Sequence, residues 1–393
     1  GSGVFFFFVA LANYGSIGIL SWIFTSLGAL SLGLVFGKLS TIIRKVGGPY
    51  AYCREGFGDF IGFLVAYSYW IALCVGNAAI VVAFVGYLAT FFPVLKGNPL
   101  LSFFVCAATV WFLTLVNIFG IRRAGVLQLI TTILKLIPLG LIALMGLFYI
   151  HPEYLGSFNI SGQSHLSAFT SAATLTLWSF VGVESATVPS ENATNPSRDI
   201  LLATIMGTAI ASLIYILSTI AIMGIIPIHQ LAHSTAPYAD AAKIIFGDWG
   251  GKMIALGAAI SCFGTLNGWI LLQGQIPFAA AKDDLFPRVF AKQSRFSTPA
   301  FALSVSSIAI TILLLLTLNA NLVKQFTFII LLATLSSLIP YFLTVMSELI
   351  LLVTRGVLYQ FKWAFFSTLI SIFAGIYAFW AIVGAGQEIV FYG

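Results

Sequence analysis

The sequence predicts an all-α polytopic membrane protein, on the basis of its composition, its apolar runs and the placement of its charges. Hydrophobic residues make up 60% of the chain and charged residues 8%, and the mean hydropathy is +1.04. No soluble core needs that much apolar surface, whereas helices that face lipid do. The apolar runs predict one integral domain over residues 1–393. They cover residues 4–12, 17–40, 60–91, 100–119, 124–150, 167–188, 200–226, 250–281, 299–318, 326–353 and 364–386.

Basic residues collect on one side of the predicted membrane. Of the 18 Lys and Arg residues, thirteen fall in alternate loops, four fall in the opposite loops, and Lys135 lies inside an apolar run. The thirteen are Lys38, Arg44, Lys45, Arg54, Arg122, Arg123, Arg198, Lys282, Arg288, Lys292, Arg295, Arg355 and Lys362, and the four are Lys96, Lys243, Lys252 and Lys324. We call the side with thirteen the basic side. Cytoplasmic loops carry such an excess, so the basic side is predicted to be cytoplasmic, and the net charge of +6 does not indicate nucleic acid.

The sixth apolar run contains a feature that lipid tolerates poorly. Residues 177–185 read Leu-Trp-Ser-Phe-Val-Gly-Val-Glu-Ser, so a glycine and a carboxylate lie at bilayer depth. The backbone unwinds at this depth only where protein or a water-filled cavity receives its amides and carbonyls. The stretch therefore predicts a broken helix beside a binding cavity. The alternative is a helix-packing face on which Glu184 bonds to a neighbouring helix.

A second glycine-containing stretch, Gly1-Ser2-Gly3, opens the first apolar run. Two interrupted helices at corresponding positions of two halves are typical of transporters with inverted repeats and a central site. The pair predicts one repeat over about residues 1–150 and a second over about 167–353, and the apolar run over about 364–386 is then left as an extra helix. The chain opens without methionine and stops at residues that resemble the start of a helix. We therefore expect both ends to be cropped and the missing start of the first helix to be cytoplasmic.

Other spans carry polar or aromatic residues at depth. Asn77, in the third span near the small Ala72, can serve a site or bond to a neighbouring helix. Trp178 and Trp269 each stand near a glycine and far from the ends of their spans. An indole ring in such a position can face a cavity and hold a cation over its π face.

The sequence offers no sign of enzyme chemistry. It contains no nucleophile paired with a base, no metal-ligand cluster and no phosphate-binding loop after a strand. The four cysteines show no paired spacing and are expected to be buried core residues. His229 and His233 are four residues apart but lack a third ligand. We therefore expect a protein that is not an enzyme and needs no cofactor or metal.

Six motifs, in this order, carry a resemblance to a known family: residues 1–5 (GSGVF), 47–52 (GGPYAY), 69–70 (YW), 177–185 (LWSFVGVES), 268–269 (GW) and 283–287 (DDLFP). With them the chain resembles the amino acid-polyamine-organocation (APC) superfamily, and within it the bacterial basic amino acid antiporters of the arginine/agmatine antiporter type. The resemblance covers essentially the whole chain. It implies two inverted five-helix repeats plus extra helices, broken helices 1 and 6, alternating access and a homodimer.

The resemblance also implies roles for individual residues. The amides of Gly1, Ser2 and Gly3 would receive the carboxylate of the substrate. Trp178 would stack on its cationic group and close an outer gate, and Trp269 would form a middle gate. The remaining assignments are an inner gate of Tyr69, Glu184 and Tyr341, with Glu184 as its proton-sensitive member, and a substrate pocket that includes Ala72, Asn77, Ser179 and Ala333.

Four positions depart from the antiporter pattern. Leu73, Ile80 and Ala333 replace its cysteine, methionine and serine, which makes the pocket more apolar on two sides and less suited to arginine. Lys135 instead resembles a lysine of sodium-independent permeases, whose ammonium group takes the place of a structural sodium ion. The alternative is a lysine that snorkels to the interface, although Lys135 lies some eleven residues inside its span.

We therefore predict a sodium-independent amino acid transporter in the bacterial inner membrane, an antiporter that exchanges a cationic amino acid for an amine or another amino acid. Its partners are the small-molecule substrate and the lipid bilayer. The alternatives are a proton-coupled neutral amino acid permease and a transport-inactive sensor or subunit of the same fold. The broken helices with Trp178, Glu184 and Trp269 favour transport, because a sensor need not keep a gated pocket.

Overall fold

The computed structural model describes residues 7–43, 45–188, 196–234, 237–316, 322–354 and 364–384. These residues form helices joined by turns and short 3₁₀ segments, and none of them lies in a β-strand, so the all-α prediction is confirmed. The α-helices are α1 (Phe7–Ala12), α2 (Ile17–Ile42), α3 (Pro49–Phe57), α4 (Asp59–Leu88), α5 (Val94–Gly97), α6 (Pro99–Ile118), α7 (Ile121–Met145), α8 (His165–Leu177), α9 (Pro196–Ile225), α10 (Ile228–Leu231), α11 (Pro237–Lys282), α12 (Ala300–Leu316), α13 (Leu322–Thr354) and α14 (Ala364–Gly384).

The helices present apolar surface outward, as a membrane protein requires. Eight of those in the described ranges are long and apolar enough to cross a bilayer. On α7, the side chains of Leu129, Ile130, Ile133 and Ile137 are all exposed. A contiguous apolar face of this kind is unfavourable in water and is solvated by lipid. The chain is therefore a multi-pass integral membrane protein.

Helix α4 runs through the middle of the bundle. It packs against α11 on one side and α13 on another, while α2 packs along α9 and α7 along α11. The buried side chains form two large clusters. One includes Trp22 and Phe180, and the other, toward the basic side, includes Phe36, Tyr69 and Tyr341. The residues that follow α8 contribute to both clusters, Phe180 and Val181 to the first and Val188 to the second.

The short helix α3 lies on the basic side. Gly47 (φ +120°) and Gly48 (φ +52°) precede it in backbone conformations that favour glycine. Pro49 begins the helix, where its missing N–H is not needed. The first half of α3 is buried against α4 and α13, and Ser347 of α13 donates a 2.5 Å hydrogen bond to the carbonyl of Tyr52. The helix therefore belongs to the protein core and does not lie loosely on the lipid surface.

A buried ion pair joins three spans near the basic side. Glu348 of α13 is 1% exposed, and Nζ of Lys38 on α2 lies 2.7 Å from its Oε1. Ser371 of α14 donates to the other carboxylate oxygen. Lys38 also donates to Ser367 of α14 at 2.5 Å. Because Glu348 has left water almost completely, these partners take the place of water around its carboxylate.

Candidate functional site

Helix α8 ends at Leu177, where the sequence predicts the break. Trp178–Phe180 and Ser185–Thr187 form 3₁₀ turns, so hydrogen bonds in this stretch connect residues three apart. Gly182, between the two turns, has φ +101°, in the left-handed region that favours glycine. The prediction of a helix interrupted within residues 177–185 is confirmed. We call residues 178–188 the broken segment.

Glu184 of the broken segment is 1% exposed and accepts hydrogen bonds on both carboxylate oxygens. The hydroxyl of Tyr69, on α4, donates to Oε1, and that of Tyr341, on α13, donates to Oε2. Tyr341 in turn accepts a 2.8 Å hydrogen bond from the amide of Gly182. We call Tyr69, Glu184 and Tyr341 the Glu184 cluster. It ties three separate chain elements together through one carboxylate.

A cavity of about 590 Å³ lies beside the broken segment and is also lined by α7, α9 and α11. A volume of this order suits a small molecule. Most of the lining is apolar, but four buried polar atoms of lining residues have no hydrogen-bond partner among the described residues. They are Oε1 of Gln128 and the hydroxyls of Ser179, Ser185 and Ser261. An apolar wall with a few convergent polar groups is typical of a site for a small ligand.

Trp269 of α11 lines the same cavity and contacts the break. A Cβ atom placed on Gly182 would lie 3.2 Å from Cζ2 of the indole ring and 3.3 Å from its Nε1. The absence of a side chain at Gly182 therefore lets Trp269 approach the backbone of the broken segment. The cavity brings together two of the predicted site residues, Ser179 and Trp269.

Three other predicted pocket residues are buried outside the lining of this cavity: Ala72, Asn77 and Ala333. The amide group of Asn77 donates a 2.8 Å hydrogen bond to Oε1 of Gln273, which joins α4 to α11. Of the two roles that the sequence allows for Asn77, the bond to a neighbouring helix is therefore present. Its own carbonyl oxygen, Oδ1, is buried without a partner in the described part of the chain.

Several predicted site residues fall wholly or partly outside the described structure. Gly1, Ser2 and Gly3 precede the first described residue. The backbone of Trp178 is placed at the start of the broken segment, and that of Lys135 lies within α7, three residues before Pro138. The side chains of both residues lie outside what the structure describes. Their predicted roles stay predictions.

Charged residues fasten α3 to the end of α11. The guanidinium group of Arg54 lies 2.7 Å from Asp59 and 2.7 Å from Asp283. Tyr50 donates a 2.8 Å hydrogen bond to Asp283. Burial raises the pKa of the Tyr50 phenol, and the hydrogen bond and charge of Asp283 raise it further. Tyr50 is therefore a neutral donor at ordinary pH, and this contact persists across the physiological range.

No motif in the sequence pointed to Gln128, Ser261 or Gln273. Each is an uncharged polar residue within an apolar run, and that is a signal for a functional or packing role. The sequence does not show which neighbour such a residue faces. The four cysteines are buried, as predicted. His229 and His233 are exposed, and in the described ranges no three His, Cys, Asp or Glu side chains are grouped to hold a metal ion.

Comparison with known proteins assigns the chain to a family. The model of the family described as amino acid permease matches residues 1–390. The putrescine transporter PotE of Escherichia coli (strain K12) is 32% identical over 397 residues, covering 100% of this chain and 89% of the relative. The cadaverine/lysine antiporter of the same strain is 33% identical over 396 residues, covering 98% and 87%. The chain therefore belongs to the amino acid permease family, within the APC superfamily that its motifs indicate.

Proposed function

We propose that the protein is a sodium-independent antiporter that exchanges a cationic amino acid for an amine or a second amino acid by alternating access. The observation that carries this proposal is the Glu184 cluster, a buried carboxylate held by two hydroxyls at a helix break beside a cavity. An ionisable residue at bilayer depth is expected on a transport pathway. The names of the relatives support the substrate class, since putrescine, cadaverine and lysine all carry ammonium groups.

In this proposal the substrate lies between the broken helices. The amides of Gly1, Ser2 and Gly3 receive its carboxylate when it has one, and the ring of Trp178 stacks on its cationic group. Trp269 separates the substrate from the basic side. The other proposed pocket residues are Ala72, Asn77, Ser179 and Ala333. The position of Trp269 against Gly182 supports its role, because a movement of the break would move the indole ring.

The Glu184 cluster is proposed to close the pathway toward the basic side. While Glu184 is ionised, both hydroxyls have an acceptor and the three elements stay together. Lys135 is proposed to supply the positive charge that a structural sodium ion supplies elsewhere. Its place inside a membrane span supports this, since an uncompensated ammonium group at depth would be unfavourable.

We also propose how the helices of the domain divide into two repeats. The first repeat would consist of α1, α2, α4, α6 and α7, and the second of α8, α9, α11, α12 and α13. Helix α1 follows the proposed first break and α8 precedes the second, so each would be one part of the interrupted helix that begins its repeat. We place the protein in a bacterial inner membrane with its basic side in the cytoplasm, as a homodimer.

Replacing Trp178 by leucine tests the proposed cation site. A cation over a desolvated indole ring gains about 2 kcal/mol, or about thirtyfold in affinity, so Trp178→Leu should weaken lysine binding by about that factor. Binding of the neutral amino acid leucine should fall much less. The measurement is competition of each amino acid against labelled cadaverine on purified protein, with Trp249→Leu, an exposed tryptophan, as the control. Equal losses for both amino acids would leave Trp178 only a packing role. Failure of the unmutated protein to bind lysine or cadaverine would contradict the proposed substrate class.

A further inference from the structure

A chain of hydrogen bonds leads away from Asn77 across four helices. Asn77 of α4 donates to Oε1 of Gln273 on α11 at 2.8 Å. Nε2 of Gln273 donates to the hydroxyl of Ser307 on α12 at 3.3 Å. That hydroxyl lies 2.6 Å from the hydroxyl of Thr114 on α6. All four side chains are fully buried, so these hydrogen bonds have no contact with bulk water.

Thr114, at the end of this series of hydrogen bonds, determines which group donates in each of them. The hydroxyl of Thr114 donates a 2.7 Å hydrogen bond to the carbonyl of Val110, which can only accept. Thr114 has a single hydroxyl proton, so in its contact with Ser307 it must accept. Ser307 has then used its proton and accepts from the amide group of Gln273. Gln273 is left with its carbonyl oxygen toward Asn77.

The consequence for Asn77 is a fixed orientation of its side-chain amide. Its NH₂ group faces Gln273, and its Oδ1 points away from the chain of hydrogen bonds. Oδ1 is buried without a partner among the described residues. Leaving a buried acceptor without a donor is unfavourable. If Asn77 served only to pack α4 against α11, no buried acceptor would have to be left without a donor. An ammonium group of a ligand would donate to Oδ1 and satisfy it.

We propose that Gln273 is a positioning residue for cation recognition: it holds the amide of Asn77 so that Oδ1 accepts from an ammonium group of the substrate. This inference rests on the proposed function, which places Asn77 in the pocket. Gln273 itself does not touch the substrate. Without it, the amide of Asn77 is free to rotate and to present its NH₂ group, which repels an ammonium group.

The test measures the affinity of labelled cadaverine for the purified protein. Gln273→Met removes both hydrogen bonds with little change in volume and should weaken binding about tenfold, the effect of one hydrogen bond to a charged group. Gln275→Met, on the same helix and outside the hydrogen-bond chain, is the matched control and should bind like the unmutated protein.

A double-mutant cycle separates positioning from general damage. If Gln273 acts through Asn77, Gln273→Met should have no further effect on cadaverine affinity in an Asn77→Ala background. Equal losses in both backgrounds, or unchanged affinity of Gln273→Met, would overturn the proposal while leaving the proposed function intact. An unmutated protein that does not bind cadaverine would overturn both.

The far end of the chain provides a second variant in case Gln273→Met does not fold. Thr114→Val removes the hydroxyl that fixes the direction and should weaken cadaverine binding several-fold. Thr109→Val is its matched control, since Thr109 makes the same kind of bond within α6, at 2.7 Å to Val105, and is not part of the chain. If Thr114→Val and Thr109→Val bind cadaverine equally well, Gln273 does not position Asn77 in this way.

Discussion

Replacing Glu348 by leucine, with Lys38 left in place, is expected to destabilise the folded protein by about 3–5 kcal/mol, because it leaves a partly buried ammonium group without its carboxylate. Lys38 is 21% exposed, so solvent reduces the loss and the lower end of this range is expected. Replacing both residues, by Lys38→Met with Glu348→Leu, should recover most of the stability, because no uncompensated charge then remains.

The stability of the Glu348 variants is measured as the temperature at which detergent-solubilised protein unfolds. The single variant should unfold several degrees below the unmutated protein, and the double variant close to it. Asp248→Asn, which removes one partner of an exposed ion pair with Lys243, serves as the control and should leave the temperature unchanged. A double variant as unstable as the single one would show that the shape and hydrogen bonds of the pair stabilise the protein, and that the balance of charge does not.

Glu184→Gln is expected to raise transport at neutral and alkaline pH and to remove most of the increase that acidification produces in the unmutated protein. Both carboxylate oxygens accept from tyrosine hydroxyls, and protonation or amidation turns one acceptor into a donor. One tyrosine hydroxyl then loses the acceptor for its own proton and faces a donor instead. A hydrogen bond to a charged group contributes about 1.5–3 kcal/mol, so the ratio of open to closed protein should rise about tenfold or more.

The measurement for Glu184 is lysine uptake into proteoliposomes over a range from mildly acidic to alkaline pH, with binding followed in parallel. Tyr69 and Tyr341 are the titratable side chains that hydrogen-bond to Glu184. Tyr69→Phe should therefore also loosen the closed state. Glu153→Gln, at an exposed carboxylate, is the control. An unchanged pH profile in Glu184→Gln would exclude Glu184 as the sensor, and loss of uptake at every pH would make it a structural acceptor.

The positions of the helices were largely predictable from the sequence, because runs of apolar residues in a chain this hydrophobic leave few other choices. The break after Leu177 was predictable from a glycine and a carboxylate inside one of these apolar runs. Gly182 and Glu184 are residues that a continuous lipid-facing helix would exclude, and the structure places a left-handed glycine and a fully partnered carboxylate there. The meeting of Tyr69, Glu184 and Tyr341 followed from the family resemblance and not from their spacing.

The packing partners of individual polar residues were not predictable. Helices that are apolar on all sides give no periodic signal for the side that faces the core. Lys38 and Glu348 are 310 positions apart, and nothing in either local sequence marks them as a pair. The same holds for Gln273, which bonds to Asn77 nearly two hundred positions away. Gln128 and Ser261 line the cavity, and nothing in the sequence around either residue marks it as facing a cavity.

The central claim, exchange of cationic amino acids and amines without sodium, is tested most directly by counterflow in proteoliposomes. We expect labelled lysine to accumulate in vesicles loaded with unlabelled cadaverine or putrescine, and not in empty vesicles or vesicles loaded with leucine. Replacing sodium by choline on both sides should leave this uptake unchanged. Accumulation that is equal in loaded and empty vesicles would contradict exchange, and accumulation that requires sodium would contradict the proposed role of Lys135 and the sodium independence of the transporter.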